Sequence, residues 1–170
     1  MKILITGPAA SGKSTACEEL KNIGYHTVDG DSLGRLVHKE TGIVLQREQK
    51  PNSADDHIDN YSWQWNEAEI DSLLKESMTI FVCGTVGGIH QYYQKFDKVI
   101  YLKNSADVIE NRLRARKKHQ FGGSKYQRDW VLSMLDKSNK DAEIDKLQIV
   151  EGNKSIDEVV QDILDTTEHN

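Results

Sequence analysis

The stretch that decides the fold spans residues 3–20 and reads ILITGPAASGKSTACEEL. It starts as an apolar run typical of a buried β-strand, breaks at Gly7 into a loop of small residues, and resumes as a helical pattern at Lys13. The loop matches the spacing G-x-x-x-x-G-K-S/T and lies where that motif must lie, between a strand and a helix. The sequence therefore predicts a phosphate-binding loop, or P-loop, at this junction.

The composition of the P-loop predicts a triphosphate ligand. Small residues let backbone N–H groups curl around an anion, and the helix N-terminus adds the positive end of its dipole. Lys13 is expected to reach the β- and γ-phosphates, and the Ser14 hydroxyl to ligate Mg²⁺. A glycine-containing turn capped by Ser14 is the alternative without a ligand. The predicted ligands are a nucleoside triphosphate and Mg²⁺, and the predicted binding residues are Gly7, Ala10, Ser11, Gly12, Lys13, Ser14 and Thr15.

Outside the P-loop, short apolar runs alternate with helical patterns. The runs are continuous, which is typical of parallel strands covered on both faces. We therefore expect one domain over residues 1–170, with a three-layer α/β fold and a five-stranded, mostly parallel sheet. Two helices are predicted to start at capping boxes, Asn66 with Glu69 and Ser155 with Glu158. The predicted strands are Lys2–Thr6, Tyr25–Asp29, Met78–Cys83, Lys98–Leu102 and Leu147–Val150, and the other predicted helices are Lys13–Asn22 and Ser32–Lys39.

Composition limits the class of protein and partner. The net charge of −5 over 170 residues argues against a general nucleic-acid binder, so the expected partner is a small molecule. The sequence has neither a signal-peptide pattern nor an apolar stretch of the roughly 20 residues that a membrane span needs. Cys17 and Cys83 are too few for a disulfide framework. We expect a cytoplasmic protein, and its oligomeric state stays open.

Two other classes of P-loop protein lack their usual signals here. A GTPase carries an N-K-x-D motif, whereas the nearest match, NKSID at residues 153–157, is one residue too long. A motor or AAA-type ATPase ends a strand with acidic residues, but the predicted strand Met78–Cys83 runs into Gly84 without a carboxylate.

The carboxylates follow the second predicted strand instead. Asp29 and Asp31 flank a glycine at the carboxyl end of that strand, where parallel sheets deliver side chains to a ligand. The alternative is a solvated turn in which Asp31 or Ser32 caps the next helix.

With its P-loop and the D-x-D-x-x-x-R spacing of Asp29, Asp31 and Arg35, the chain resembles the small P-loop kinases. This group includes nucleoside monophosphate kinases, shikimate kinase and dephospho-coenzyme A kinase. The resemblance implies ATP-dependent phosphoryl transfer in which Asp31 orients or deprotonates an attacking hydroxyl and Asp29 holds Mg²⁺ through water. Arg35, on the predicted helix after them, would grip an anion of the acceptor, or it is simply a surface cation.

Residues 84–91, GTVGGIHQ, are similar to a glycine-to-glutamine segment of adenylate-kinase-like enzymes. The resemblance implies that Gln91 binds the acceptor base, although a surface amide is the alternative. Gly87 stands in place of the arginine that clamps a phosphate in that segment, so the identity of the acceptor stays open.

A basic stretch resembles the lid entrance of nucleoside monophosphate kinases. Arg112 and Arg116 lie four residues apart on one helical face, and a glycine-containing loop follows them. The resemblance implies that both are catalytic, with a lid at about residues 117–128. A solvated basic face or an RNA-contacting patch is the alternative.

An acceptor-binding insert is expected at about residues 32–66, with an irregular polar segment. Its residues Tyr61, Trp63 and Trp65 could stack on a base, but core packing is favoured for the tryptophans, with Trp65 stapling the next helix. The sequence predicts phosphoryl transfer from ATP to a nucleoside or nucleotide. The alternatives are a dephospho-coenzyme A or other metabolite kinase and an ATP-binding regulatory or RNA-associated module.

Overall fold

The computed structural model describes residues 1–45, 55–76 and 78–168. Its strands and helices alternate along the chain, with two 3₁₀ helices at Gly30–Leu33 and Ile89–Lys95. The strands are β1 (Lys2–Thr6), β2 (Thr27–Asp29), β3 (Gly34–His38), β4 (Tyr61–Trp65), β5 (Ile80–Cys83), β6 (Lys98–Lys103) and β7 (Gln148–Glu151). The helices are α1 (Lys13–Asn22), α2 (Asp56–Asn60), α3 (Glu67–Leu74), α4 (Ala106–Arg114), α5 (Lys125–Ile144) and α6 (Ile156–Glu168).

Five strands form one parallel sheet in the order β2-β5-β1-β6-β7. In the centre of this sheet, Ile5 of β1 is level with Cys83 on one side and with Ile100 on the other. The carboxyl ends of these strands therefore meet at one edge, where β1 enters the P-loop and β2 ends at Asp29. The predicted five-stranded parallel sheet is confirmed.

Both faces of the sheet are covered. Ile3 and Ile5 point to one face and pack in a cluster with residues of α1 and α6, whereas Leu4 points to the other face and packs with Trp65 and Ile70. Each of these side chains is fully or nearly fully buried, which stabilises the fold by about 1.5–3 kcal/mol per large apolar side chain. The three-layer arrangement is thus confirmed.

The predicted helix Ser32–Lys39 is wrong. Residues 34–38 form β3, which pairs antiparallel with β4 and places Leu36 opposite Trp63. Gly34 is required here because a Cβ at this position would lie 2.1 Å from the Trp63 ring. The predicted insert therefore contains a second, two-stranded sheet. The segment 46–54 of the insert lies outside the described residues.

Both predicted caps form. The Asn66 side chain accepts hydrogen bonds from the N–H groups of Ala68 and Glu69 at the start of α3. Ser155 and Glu158 form the reciprocal capping box before α6. Within the described part of the chain, no helix is long and apolar enough to cross a membrane.

Candidate active site

The P-loop joins β1 to α1, and its backbone explains its glycines. Gly7 and Gly12 have φ angles of 148° and 102°, and a Cβ on Gly7 would lie 2.8 Å from the carbonyl oxygen of Leu102. Ala10 also has a positive φ, 66°, which costs roughly 1–3 kcal/mol for a residue other than glycine and is typical of functional sites. The P-loop backbone therefore contains a φ angle at Ala10 that residues other than glycine rarely adopt, and the surrounding structure holds it there.

Lys13 points back into the P-loop. Its Nζ donates hydrogen bonds to the carbonyl oxygens of Gly7 and Pro8, at 2.9 and 2.7 Å, and to Ser11 Oγ at 3.3 Å. Burial lowers the pKa of the Lys13 ammonium to about 8, against an opposing effect of the nearby Asp31 carboxylate. The ammonium therefore lies among oxygen acceptors that a phosphate group would replace.

The two aspartates after β2 have different surroundings. Asp29 Oδ1 accepts a hydrogen bond from the backbone N–H of Asp31 at 3.0 Å and so caps the 3₁₀ helix Gly30–Leu33. Asp31 instead lines a cavity, where burial and then the negative charge of Asp29 raise its pKa. The positive charge of Lys13 and the nearby indole of Trp63 act in the opposite direction. The capping role that the alternative assigned to Asp31 or Ser32 thus belongs to Asp29.

The cavity has a volume of about 1170 Å³ and adjoins the whole P-loop. Opposite the P-loop lies a surface that we call the β3–β4 wall. The wall consists of Asp31, Lys39, Tyr61, Ser62, Trp63 and residues 85–90. Residues of α5, among them Trp130 and Met134, complete the lining.

Both predicted lid arginines line the cavity, in different ways. Arg112 Nη1 donates to the carbonyl oxygen of Ala10 at 3.1 Å, and its Nη2 donates to that of Gly152 at 3.0 Å. Arg112 therefore links the P-loop to the loop after β7. Arg116 Nη1 donates to the Phe121 carbonyl oxygen, and burial lowers its pKa while the Asp31 carboxylate raises it. Their catalytic roles stay predictions.

Two predicted acceptor residues do not line the cavity. Arg35 lies on β3 and not on a helix, and its Nη2 forms an ion pair with Glu69 Oε1 at 2.6 Å. Gln91 is exposed in the 3₁₀ helix Ile89–Lys95. The strand geometry of residues 34–38 turns Arg35 toward α3, which explains why the helical prediction misplaced it.

The tryptophans of the insert also differ from each other. Trp65 is 4% exposed, packs against Tyr92 and donates from Nε1 to the Gly30 carbonyl oxygen at 2.8 Å. Its predicted core role is confirmed. Trp63 is half-buried and lines the cavity beside Asp31. Nothing in the sequence indicated that Trp63 lies beside Asp31, because the two residues belong to segments that only the fold brings together.

The predicted Mg²⁺ residues fit the metal. Ser14 is exposed at the start of α1, and both Asp29 and Asp31 lie close enough to Lys13 to raise its pKa. No group of three or more metal-binding side chains occurs among the residues that the structure describes. The Ser14 hydroxyl and the Asp29 carboxylate are oxygen donors, and Mg²⁺ is usually held by one or two protein oxygens together with waters and substrate phosphates.

Comparisons with known proteins identify the family of this chain and the proteins whose fold it shares. Residues 3–144 match the family model described as an AAA domain. This match corrects the expectation that the chain is not an AAA-type protein. That expectation rested on the lack of a carboxylate after the strand, and β5 does end at Cys83 with Gly84 after it.

Two curated relatives are kinases. A cytidylate kinase of Haloarcula marismortui is 30% identical over 129 residues, which cover 74% of this chain and 63% of the relative. A dephospho-CoA kinase of Dehalococcoides mccartyi is 46% identical over 44 residues, 25% of this chain and 22% of the relative. The chain thus spans less than two thirds of either relative.

Among solved structures, the fold is similar to that of deoxyadenosine kinase from M. mycoides with bound dATP. The TM-score is 0.61 at 15% identity, and the match covers 99% of this chain and 100% of the other. At this identity the likeness shows the fold alone, which confirms the predicted P-loop kinase fold.

Proposed function

We propose that this chain, which belongs to the AAA domain family, transfers the γ-phosphoryl group of ATP to a small acceptor, a nucleoside or a nucleotide. The observation that carries the proposal is that Lys13, Arg116 and Asp31 line one cavity beside the P-loop, with the Lys13 ammonium turned back into the loop. Two cations and a carboxylate around one cavity suit the donor and acceptor sides of a phosphoryl transfer. The cytidylate kinase relative supports the nucleotide-type acceptor.

The P-loop residues would act mainly by positioning and by neutralising charge. Backbone N–H groups of the P-loop residues other than Pro8 would hold the donor phosphates, and the Lys13 ammonium would exchange its carbonyl partners for phosphate oxygens. Mg²⁺, held by Ser14 and through water by Asp29, would supply electrostatic stabilisation of the charge that develops on the phosphates. Arg116, in the segment after α4, lines the same cavity and would also neutralise that charge.

A dephospho-coenzyme A acceptor is the second candidate, favoured by the segment of 46% identity to that kinase. We also retain as proposals the single domain over residues 1–170, the lid at about residues 117–128 and a cytoplasmic location.

The test is an assay with γ-labelled ATP, Mg²⁺ and a panel of nucleosides, nucleoside monophosphates and dephospho-coenzyme A. We expect at least one acceptor to gain the label. The absence of a labelled product from every member of the panel would contradict the proposed function.

A further inference from the structure

The short helix α2 lies between the β3–β4 wall and the start of α5. Its residue Ile58 is 8% exposed and lines the cavity between Lys39 of the wall and Trp130 of α5. The helix therefore forms part of the cavity lining, between the acceptor side and the proposed lid. Its position sets the width of the cavity at this place.

One side of α2 is attached to the β3–β4 wall through the main chain. The Lys39 N–H donates a hydrogen bond to the Asn60 carbonyl oxygen at 2.8 Å. Lys39 Nζ donates to the carbonyl oxygens of Ile58 and Asp59, at 2.6 and 3.0 Å. The strand β4 begins at Tyr61, directly after the helix. Three hydrogen bonds and the continuous chain thus hold this side of α2 to the wall.

Two side-chain hydrogen bonds join the other side of α2 to the start of α5, and we call them the α2–α5 latch. The Tyr126 hydroxyl donates to Asp59 Oδ1 at 2.5 Å, a distance typical of a hydroxyl bound to a carboxylate. The Ser124 hydroxyl donates to Oδ1 of Asp55, the residue before α2, at 3.3 Å. Tyr126 is 44% exposed, and both aspartates are exposed as well. Such exposed bonds change an equilibrium constant by only about 2- to 10-fold, so the latch opens readily.

The start of α5 is also joined to Arg116. Arg116 Nη1 donates to the Phe121 carbonyl oxygen, and the Phe121 ring packs edge-to-face against Trp130 with centroids 6.3 Å apart. Arg116, Phe121 and Trp130 all line the cavity. The latch at Tyr126 therefore fixes the distance between the acceptor side of the cavity and the side that carries Arg116.

This distance matters because water competes with the acceptor for the γ-phosphoryl group. With the latch closed, α2 and the start of α5 enclose the acceptor and exclude water. With the latch open, a water molecule attacks in place of the acceptor, and the products are ADP, inorganic phosphate and a proton released to solvent.

We propose that Tyr126 and Asp59 are positioning residues whose hydrogen bond holds α2 against α5 and so directs the phosphoryl group to the acceptor instead of water. This inference rests on the proposed phosphoryl transfer. Neither residue touches the reacting atoms. The acceptor enters and the product leaves while the bond is broken, and transfer takes place while it is formed.

Hydrogen exchange of α2 tests the latch without an assay of activity. Two amides of this helix donate to the Asp55 carbonyl oxygen, so their exchange reports local opening. Tyr126→Phe should raise the exchange rate of residues 55–60 by about 2- to 10-fold, measured by mass spectrometry. The matched control Tyr25→Phe removes the hydroxyl of a tyrosine that is 38% exposed and outside the cavity lining, and should leave this rate unchanged. Equal exchange in Tyr126→Phe and wild type would overturn the inference.

The fate of the phosphoryl group separates positioning from a general loss of folded protein. With an acceptor from the panel, we measure the inorganic phosphate released for each acceptor molecule phosphorylated. Tyr126→Phe should raise this ratio and the KM for the acceptor by about 2- to 10-fold, with a smaller change in kcat. Partial unfolding would lower both rates in proportion and leave the ratio as it is. An unchanged ratio therefore overturns the positioning role.

Substitutions of the partner give a rescue. Asp59→Asn keeps an acceptor oxygen for the Tyr126 hydroxyl and should stay within about twofold of wild type in the ratio, whereas Asp59→Ala should match Tyr126→Phe. The double variant Tyr126→Phe/Asp59→Ala should be no worse than either single variant, because both remove the same bond. Effects that add in the double variant would contradict the latch.

If the panel contains no acceptor, the proposed function fails, and hydrogen exchange alone decides the inference. Raised exchange of residues 55–60 in Tyr126→Phe then supports the α2–α5 latch, and unchanged exchange overturns it.

Discussion

The P-loop and the β3–β4 wall face each other across one cavity, yet they are built in different ways. The P-loop is one continuous segment, residues 7–15, whose shape follows from its own backbone angles. The wall joins Asp31 and Lys39, on either side of β3, to residues 61–63 and 85–90 through contacts such as the Gly87–Trp63 hydrogen bond. A local motif therefore identifies the donor side, whereas the acceptor side depends on long-range contacts that a motif does not encode.

The largest expected effect comes from a substitution in the P-loop, which changes the donor side alone. Lys13→Ala should lower kcat by about 10³-fold or more, because cations that neutralise the transferred phosphoryl group contribute this much in related chemistry. Steady-state release of ADP, measured with the preferred acceptor, checks it. Lys21→Ala, an exposed lysine in the last turn of the same helix, is the control and should leave kcat unchanged. A Lys13→Ala enzyme within threefold of wild type would contradict the role of the P-loop.

The next effect concerns the cation between the two sides. Arg116→Ala should lower kcat by roughly 10²–10³-fold with a smaller change in the KM for ATP, since its charge acts mainly in the transition state. Arg114→Ala is a close control, because Arg114 is exposed and paired with Glu110 on the outer face of α4. Equal kinetic parameters for the two variants would show that Arg116 takes no part in catalysis.

The substitution Gly34→Ala disturbs Trp63 of the β3–β4 wall and leaves the P-loop residues unaltered. The added methyl group would overlap the Trp63 ring and displace it, which costs about 1–3 kcal/mol of folding free energy for an overpacked position. We expect kcat/KM for the acceptor to fall and the Kd for ATP to stay the same. Denaturant unfolding and ATP titration measure the two quantities.

The double variant Gly34→Ala/Trp63→Ala is the matched test of this overlap. It should recover much of the stability lost in Gly34→Ala, because the overlapping ring is gone, without recovering acceptor use. Weakened ATP binding in Gly34→Ala would show that the two sides are not separable.

The smallest effect is a pH dependence on the donor side. Burial holds the pKa of Lys13 at about 8, so the free protein loses the ammonium as pH rises through 8, while bound phosphate would raise that pKa. ATP binding should therefore take up protons above pH 8 and weaken by up to about tenfold per pH unit. Calorimetry in two buffers of different ionisation enthalpy measures the uptake, with Lys13→Ala as the control. Equal heats in both buffers would contradict the lowered pKa.

The same contrast explains what the sequence could predict. The P-loop and the five strands of the parallel sheet follow from local patterns, because an apolar run and a glycine-lysine motif carry their own signal. The error at residues 32–39 arose because Leu33, Leu36 and Val37 have helical spacing. The segment instead forms a strand because β4 pairs with it from more than 20 residues away.

The position of Arg35 and the closeness of Trp63 to Asp31 could not be predicted for the same reason. Arg35 pairs with Glu69 only because β3 is a strand, and Trp63 reaches Asp31 only after β4 has joined β3. Such contacts depend on the register between distant segments, which residue types and spacing do not reveal.

The most direct test is a crystal structure with ADP, Mg²⁺, a planar fluoride mimic of the transferred phosphoryl group and a nucleoside. The account predicts the mimic between Lys13 and Arg116, with the nucleoside hydroxyl about 2.6–3.2 Å from an Asp31 carboxylate oxygen. A nucleoside hydroxyl that lies in line with the mimic but beyond the reach of Asp31 would contradict it.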